Sequence, residues 1–248
     1  MDYAKSAYKN AGVSANEYME QITSFSASLI SSLGGDTAQA AEIGNMAIND
    51  MADNANTFGT SLEDIQHAYQ GFAKQNYTML DNLKLGYGGT KEEMQRLIDK
   101  ANEVRKAQGE TTELTIESYA DIITAIHTVQ DEMGIYGTTA MEAETTITGS
   151  IQMTKAAWDN LMVGLADSNA NIPELVNNVL SSATQVLKNI IPIAKEVIKS
   201  IPVAISEISP EAGAAMQAVV DFAAKAWPVL KEAVADAFSV ISAAFNFI

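Results

Sequence analysis

The chain has 248 residues, a mass of 26.5 kDa and a formal net charge of −16, enough length for one or two domains with a real core. With 15 Lys+Arg against 31 Asp+Glu it repels phosphate backbones, which excludes nonspecific nucleic-acid binding as a role. Cysteine is absent, so a disulfide framework, a thiol nucleophile and a cysteine metal site are excluded too.

Apolar residues make up 47% of the chain, with 11 Met and only five Pro, a balance that predicts an all-α fold. The opening MDYAKSAYKNAG has no basic region followed by an apolar run, so it does not read as a signal peptide. It reads as the end of a helix begun upstream and closed by Gly12. Ser14 and Glu17 form a capping box, and Tyr18, Ile22, Phe25, Leu29 and Leu33 then share one helical face. Gly34 and Gly35 end that helix, and Asp36 caps the next, from Thr37 to about Asn56. Its line of Ala40, Ile43, Ala47, Met51 and Asn54 includes small residues that let neighbouring helices approach closely.

The stretch from Thr60 to Leu97 is the most informative. Thr60 and Glu63 make a T-x-x-E capping pattern, and Leu62, Ile65, Tyr69, Phe72 and Ala73 recur at helical spacing behind it. The helix runs out between Gly71 and Asn76. A tighter segment, YTMLDNLKL, leads into Gly86, Tyr87, Gly88 and Gly89, where three glycines allow the positive φ that other residues resist. Thr90 and Glu93 repeat the capping pattern and start another helix, over residues 90–107. The pattern is helix, compact glycine turn, helix.

Gln108 to Thr115 is polar and reads as a loop. A helix follows from about Ile116 to Met133, with Tyr119, Ile122, Ile123, Ile126 and Val129 inward. Gly134 to Gly137 is a turn, and Thr138 opens a helix to about Gly149. Another, from Ser150 to Ala166, carries Ile151, Trp158, Leu161, Met162 and Leu165.

Asp167 to Asn171 is polar and precedes Pro173, so it is the expected boundary between a helical bundle over 1–168 and an apolar amphipathic region over 172–248. In that second region Val176, Leu180, Ala183, Leu187, Ile190, Ala194, Val197 and Ile201 alternate at spacings of four and three, the pattern of a coiled-coil seam. The seam serves either an intramolecular hairpin or self-association. Pro192 and Pro202 remove amides and are expected to kink or break the helix. Beyond Pro210, the residues Phe222, Trp227, Leu230, Val234, Phe238, Ile241 and Phe245 make a broad apolar face. Asp221, Lys225, Lys231, Glu232 and Asp236 interrupt it, so no uncharged run reaches the roughly 18 residues of a spanning helix. The face lacks the Lys/Arg excess usual for membrane-surface helices.

Little in the chain points to bond chemistry. His67 and His127 have no H-x-x-x-H partner and read as hydrogen-bonded or partly exposed helix residues rather than zinc ligands. The run Gly86 to Lys91 lacks phosphate-loop spacing and follows no strand. Acidic pairs such as Glu63/Asp64 and Glu92/Glu93 are what a helix start prefers electrostatically. The reading is a protein without enzymatic activity, cofactor or metal.

Four long strings carry a resemblance: residues 17–61 (EYMEQITSFSASLISSLGGDTAQAAEIGNMAINDMADNANTFGTS), GFAKQNYTMLDNLKLGYGGTKEEM in the central turn, 125–151 (AIHTVQDEMGIYGTTAMEAETTITGSI) and 153–167 (MTKAAWDNLMVGLAD). Together and in this order they resemble the core of phage tail tape measure proteins, especially those of phages and prophages of Gram-positive bacteria. The resemblance covers roughly residues 10 to 180, and the last 70 or so share only the family's general character. It implies a structural protein in the lumen of a growing tail tube, assembled in the bacterial host cytoplasm and present in several copies. Such a protein sets tail length and leaves with the DNA at ejection, and an acidic surface would let DNA pass without sticking. The implied partners are tube and tail-tip proteins, assembly chaperones and further copies of the chain, with no specific nucleic acid and at most transient membrane contact. Relatives extend beyond both ends of the matching core, so the chain is expected to be a fragment or a shortened gene product.

As a single helix the chain would span roughly 370 Å at about 1.5 Å per residue. The glycine turns and prolines forbid that, so the expectation is a compact helical module rather than the ruler itself. Two other classes stay open. One is a membrane-active or envelope-penetrating injection module built from Ile190–Ile248, and the other is a cell-wall hydrolase, although no residues match a peptidoglycan-cleaving domain. A degenerate prophage remnant is a further alternative.

Overall fold

The computed structural model describes residues 2–208 and scattered positions between 214 and 232. The described residues form nine α-helices and one 3-10 turn, with no strand among them, so the fold is all-α. The apolar face from Phe222 to Phe245 lies outside the described residues. The chain divides into two compact units, Met1–Ala143 and Glu144–Ile248.

In the first unit, α1 (Asp2–Asn10) closes at Gly12, which takes the left-handed φ of 65°. Helix α2 (Ala15–Ser32) opens on the full capping box. The Ser14 amide donates to Glu17 Oε2 at 2.7 Å, and the Ser14 hydroxyl accepts from the Glu17 amide at 3.3 Å. Asp36 caps α3 (Thr37–Phe58) by accepting from the amides of Ala38 and Gln39, and Gly59 ends it in the left-handed conformation. Gly44 brings α3 against α2, since a Cβ there would sit 2.9 Å from Ile22 Cδ1.

Helix α4 (Leu62–Phe72) starts one residue later than the T-x-x-E pattern suggests. Its cap is Ser61, which accepts from the Asp64 amide at 3.1 Å while its hydroxyl donates to the Asp64 carboxylate at 2.7 Å. Thr60 is not the cap: its hydroxyl donates to Asn82 O at 3.4 Å. Two overlapping motifs, Thr60/Glu63 and Ser61/Asp64, compete for one helix start, and packing of Thr60 toward Asn82 leaves Ser61 to take it.

A 3-10 turn (Leu80–Leu83) buries Leu80 and Leu83. Helix α5 (Lys91–Ala107) follows, capped by Thr90. The polar loop after it is tied down by Asn102, whose side-chain amide donates to Leu114 O at 3.0 Å and accepts from Leu114 N at 2.8 Å, like a strand partner. Helix α6 (Tyr119–Glu132) begins three residues after the expected Ile116, because Ser118 accepts from the Asp121 amide and sets the start there. Helix α7 (Thr138–Thr145) is followed by α8 (Ile147–Gly164), so the break falls at Thr146, not Gly149. Thr146 supplies the cap by accepting from the Gly149 amide.

Helices α2, α3, α4, α5 and α6 enclose the core of the first unit, with Phe25, Met51, Ile65, Tyr69, Phe72 and Leu97 among its fully buried side chains. Tyr119 meets Phe25 edge-on at 6.1 Å and donates to Tyr69 O at 3.0 Å, so the Tyr119 ring has its apolar body packed and its polar tip used.

In the second unit α8 pairs with α9 (Ile172–Ile208). Asp167–Asn171 is therefore the connection inside this hairpin, and the division between units lies at Ala143/Glu144 instead. The reason is packing at Gly164: a Cβ there would collide with Leu175 Cδ1, so the two helices touch right beside the connection. Asn171 accepts from the Glu174 amide, and Pro173 sits in the first turn of α9, where its missing N–H costs nothing. The break expected at Pro192 and Pro202 does not occur: α9 runs through both as one helix of 37 residues. Pro192 is exposed, so water can take up the carbonyl that its missing amide leaves unbonded.

Candidate functional site

The glycine turn has a more specific construction than three positive φ angles. Among Gly86, Gly88 and Gly89 only Gly86 is left-handed, at φ 87°. Gly89 is needed for space, since a Cβ there would overlap the carbonyl of Thr78, whose carbon lies 2.9 Å from that position. Gly88 meets only Glu93 Cγ, at an ordinary 3.5 Å. Thr90 caps α5 by accepting from the Glu93 amide at 3.2 Å, as its spacing suggests. Glu93 does not reach back to Thr90. Its carboxylate accepts from Gly88 N at 3.1 Å and pairs with Arg96 at 2.7 Å, and Arg96 donates to Gly86 O and lies over the Tyr87 ring. Lys84, itself left-handed, donates to Phe58 O at the end of α3. The backbone amide of Gly88 and the carbonyls of Gly86 and Phe58 are thus engaged by this chain's own side chains, and the turn is a structural joint.

The chemically distinctive cluster lies where α3 meets α6. Asp50, Asp53 and Asn54 on α3 and Gln130 on α6 are all buried. Charged and amide groups are almost never so deep unless paired. Asp50 Oδ1 lies 2.9 Å from His127 Nδ1, and the Tyr136 ring stands edge-on to the imidazole at 4.8 Å. Burial raises the Asp50 carboxyl to about 6, against the hydrogen bond and charge of His127, which pull it down. Burial alone would lower His127, but the hydrogen bond and charge of Asp50, with Asp131 and Asp53 behind it, carry it above its ordinary range.

Asp53 accepts from the amides of Gly137 at 2.7 Å and Thr139 at 2.8 Å. A carboxylate from α3 thereby caps the start of α7, which favours negative charge at its N-terminus. Asn54 donates to Leu83 O at 2.9 Å and to Gln130 Oε1 at 2.8 Å, tying the 3-10 turn to α6. The cluster can hold and exchange a proton and lock several elements in register. Sequence reasoning placed Asn54 on the inward line of α3 but missed Asp50 and Asp53. The available signal was three polar residues within one helical turn beside Ala47 and Met51 on an apolar face.

The seam of α9 is divided rather than continuous. Val176 is buried, Leu180, Ala183 and Ala194 are half-buried, and Leu187 and Ile190 are 42% and 37% exposed. The side chains of Val197 and Ile201 lie outside the described residues. Helix α9 does fold back along α8, but on a neighbouring face. Leu175 meets Gly164, Ser182 is buried, and Gln185 and Asn189 donate to the carbonyls of Glu144 and Thr146 at 2.5 and 2.7 Å. The inward face of α8 is made of small residues and two larger ones: Ser150, Met153, Ala156, Ala157, Leu161 and Gly164. Of the residues expected along α8, only Leu161 is buried, while Ile151, Trp158, Met162 and Leu165 are each about half exposed. Small side chains let α9 approach on one side, which turns the bulky ones outward.

Among the described residues no group of three or more His, Asp or Glu is placed to hold a metal ion, and no helix is long and apolar enough to cross a membrane. The class defined by these features is an all-α protein with a polar lock in its first unit and an apolar stripe on a helical hairpin in its second. No family model, curated protein or solved structure matches the chain.

Proposed function

We propose that this chain is a structural component of a phage tail, a helical module of the tape measure kind that takes part in setting tail length and leaves with the DNA at ejection. It acts in the tail lumen after assembly in the host cytoplasm. It works by packing against tube, tail-tip and chaperone proteins and against further copies of itself, and it makes and breaks no bonds. The observation that carries the reading is the stripe Ile151, Trp158, Met162 and Leu165 along α8, with Leu187 and Ile190 on α9, held outward by the packing of small residues between the two helices. An apolar line at spacings of seven, four and three is what a helix offers to a partner helix. The four strings that resemble tape measure cores, and the all-α fold, support the same reading.

In-frame deletion of residues 172–208 in the phage or prophage that carries the gene is expected to abolish tails or give tubes of uncontrolled length by electron microscopy. Normal tails of unchanged length would overturn the proposal. The amphipathic α9 and its exposed Leu187, Ile190 and Ile193 support a second reading, a membrane-surface module for injection. Flotation of the whole chain with anionic liposomes separates the two, since a tail-packing module stays in the aqueous fraction.

A further inference from the structure

We propose that Gln185 and Asn189 of α9 form a latch that holds α7 and α8 apart, and that without it the two join into one helix through Thr146. A single residue separates them. Helix α7 ends at Thr145, α8 begins at Ile147, and Thr146 between them is extended, with φ −114° and ψ 156°. Both amide side chains reach this point from α9. Gln185 Nε2 donates to Glu144 O at 2.5 Å, and Asn189 Nδ2 donates to Thr146 O at 2.7 Å. The two lie one turn apart and are bonded to each other, since Gln185 Nε2 also donates to Asn189 Oδ1 at 3.3 Å. Turning either amide over would set oxygen against a carbonyl oxygen, so the pair is fixed in this sense.

A helix leaves the carbonyls of its last turn without partners of its own. In one continuous helix Glu144 O would accept from the Thr148 amide, four residues on; here Gln185 supplies the proton instead. The break is thus satisfied from α9, and losing the two amides favours the continuous helix. Local sequence pulls both ways. Thr145, Thr146, Ile147 and Thr148 are β-branched and weaken a helix, and by staying extended Thr146 caps α8, accepting from the Gly149 amide at 3.0 Å. Against that, residues 138–164 contain no proline, and Thr146 is the one residue between the two helices whose φ and ψ must change. Opposed local preferences leave the choice to α9. The break falls beside the division between the two units at Ala143/Glu144, so the latch sets whether the chain passes this point as two helices or as one. Whatever displaces this part of α9 releases it.

Gln185→Met combined with Asn189→Leu keeps both side chains near their present size and removes the donors. Nuclear magnetic resonance of the whole chain reads the backbone of Thr146 directly through its Cα shift. In the unsubstituted protein that shift is expected on the extended side of its random-coil position. In the double variant it is expected on the helical side, with the Thr148 amide exchanging more slowly with solvent. Thr184→Ala combined with Lys188→Ala, at exposed positions on the same turns of α9, should leave Thr146 extended. If the loss of the latch also frees α9 from α8, Thr146 turns helical just the same. An extended Thr146 in the latch variant therefore overturns the proposal, as does a helical one in the unsubstituted protein or in the exposed-position variant.

Discussion

His127 Nδ1 on α6 and Asp50 Oδ1 on α3 meet at 2.9 Å across 77 residues of chain, with the carboxylate completely buried. The pair joins the same two helices as the Asn54–Gln130 hydrogen bond, and it ties the stability of the first unit to pH.

Both members of the pair hold their proton more tightly in the folded protein than in the unfolded chain. Asp50 is raised from an ordinary 3.8 to about 6 by burial, and His127 is raised above 6.5, where burial opposes the rise and Asp50 drives it. Each contribution to stability is complete below the unfolded value and is lost as pH rises through the folded one. The midpoint of thermal unfolding is therefore expected to climb as pH falls from about 8 to about 5. The formal charge of −16 acts in the same direction, so the informative quantity is a difference. Asp50→Asn should flatten the climb, and a variant with the parent's slope would show that the pair does not titrate in this range.

At the start of α4, Ser61→Ala should cost about 1 kcal/mol, the usual value of a helix cap. Thr60→Ala should cost less, since its hydroxyl makes only a 3.4 Å bond to Asn82 O. Urea denaturation of the two variants side by side checks this, and the reverse order would return the cap to Thr60.

Gly89→Ala forces a methyl group into the carbonyl of Thr78 and should cost on the order of 1–3 kcal/mol as the turn shifts. Gly88→Ala has room, with its nearest neighbour at 3.5 Å, and should be close to neutral. Equal losses in denaturant midpoint would mean that the turn is not built on the Gly89–Thr78 approach.

Leu97 of α5 is fully buried, so Leu97→Ala should lower stability by roughly 2–5 kcal/mol through lost burial and the cavity left behind. Equilibrium unfolding by circular dichroism measures this, and a loss under about 1 kcal/mol would place α5 outside the cooperative core.

Trp158 is 51% exposed on the outer side of α8, so Trp158→Ala should change stability by no more than about 0.5 kcal/mol. If the stripe is a packing surface, the same substitution should weaken association with tail-tube subunits in co-purification by at least tenfold. Unchanged association would remove the stripe from the interface.

The local features were legible in the sequence because they are decided within a few residues. Hydrophobic spacing set the inward faces of α2 and α6, Ser14 and Glu17 set a helix start, and Gly59 and Gly86 stand where the backbone turns left-handed. Tertiary packing decided what depends on partners far along the chain. It chose Ser61 over Thr60, sent Glu93 to Gly88 instead of Thr90, and turned the large side chains of α8 outward because small ones pack against α9. It also buried Asp50 and Asp53, whose partners lie 77 to 86 residues away. Helical periodicity records which side of a helix is apolar, but a buried carboxylate is tolerated only where another element brings it a proton or an amide, and that meeting is written in the packing alone.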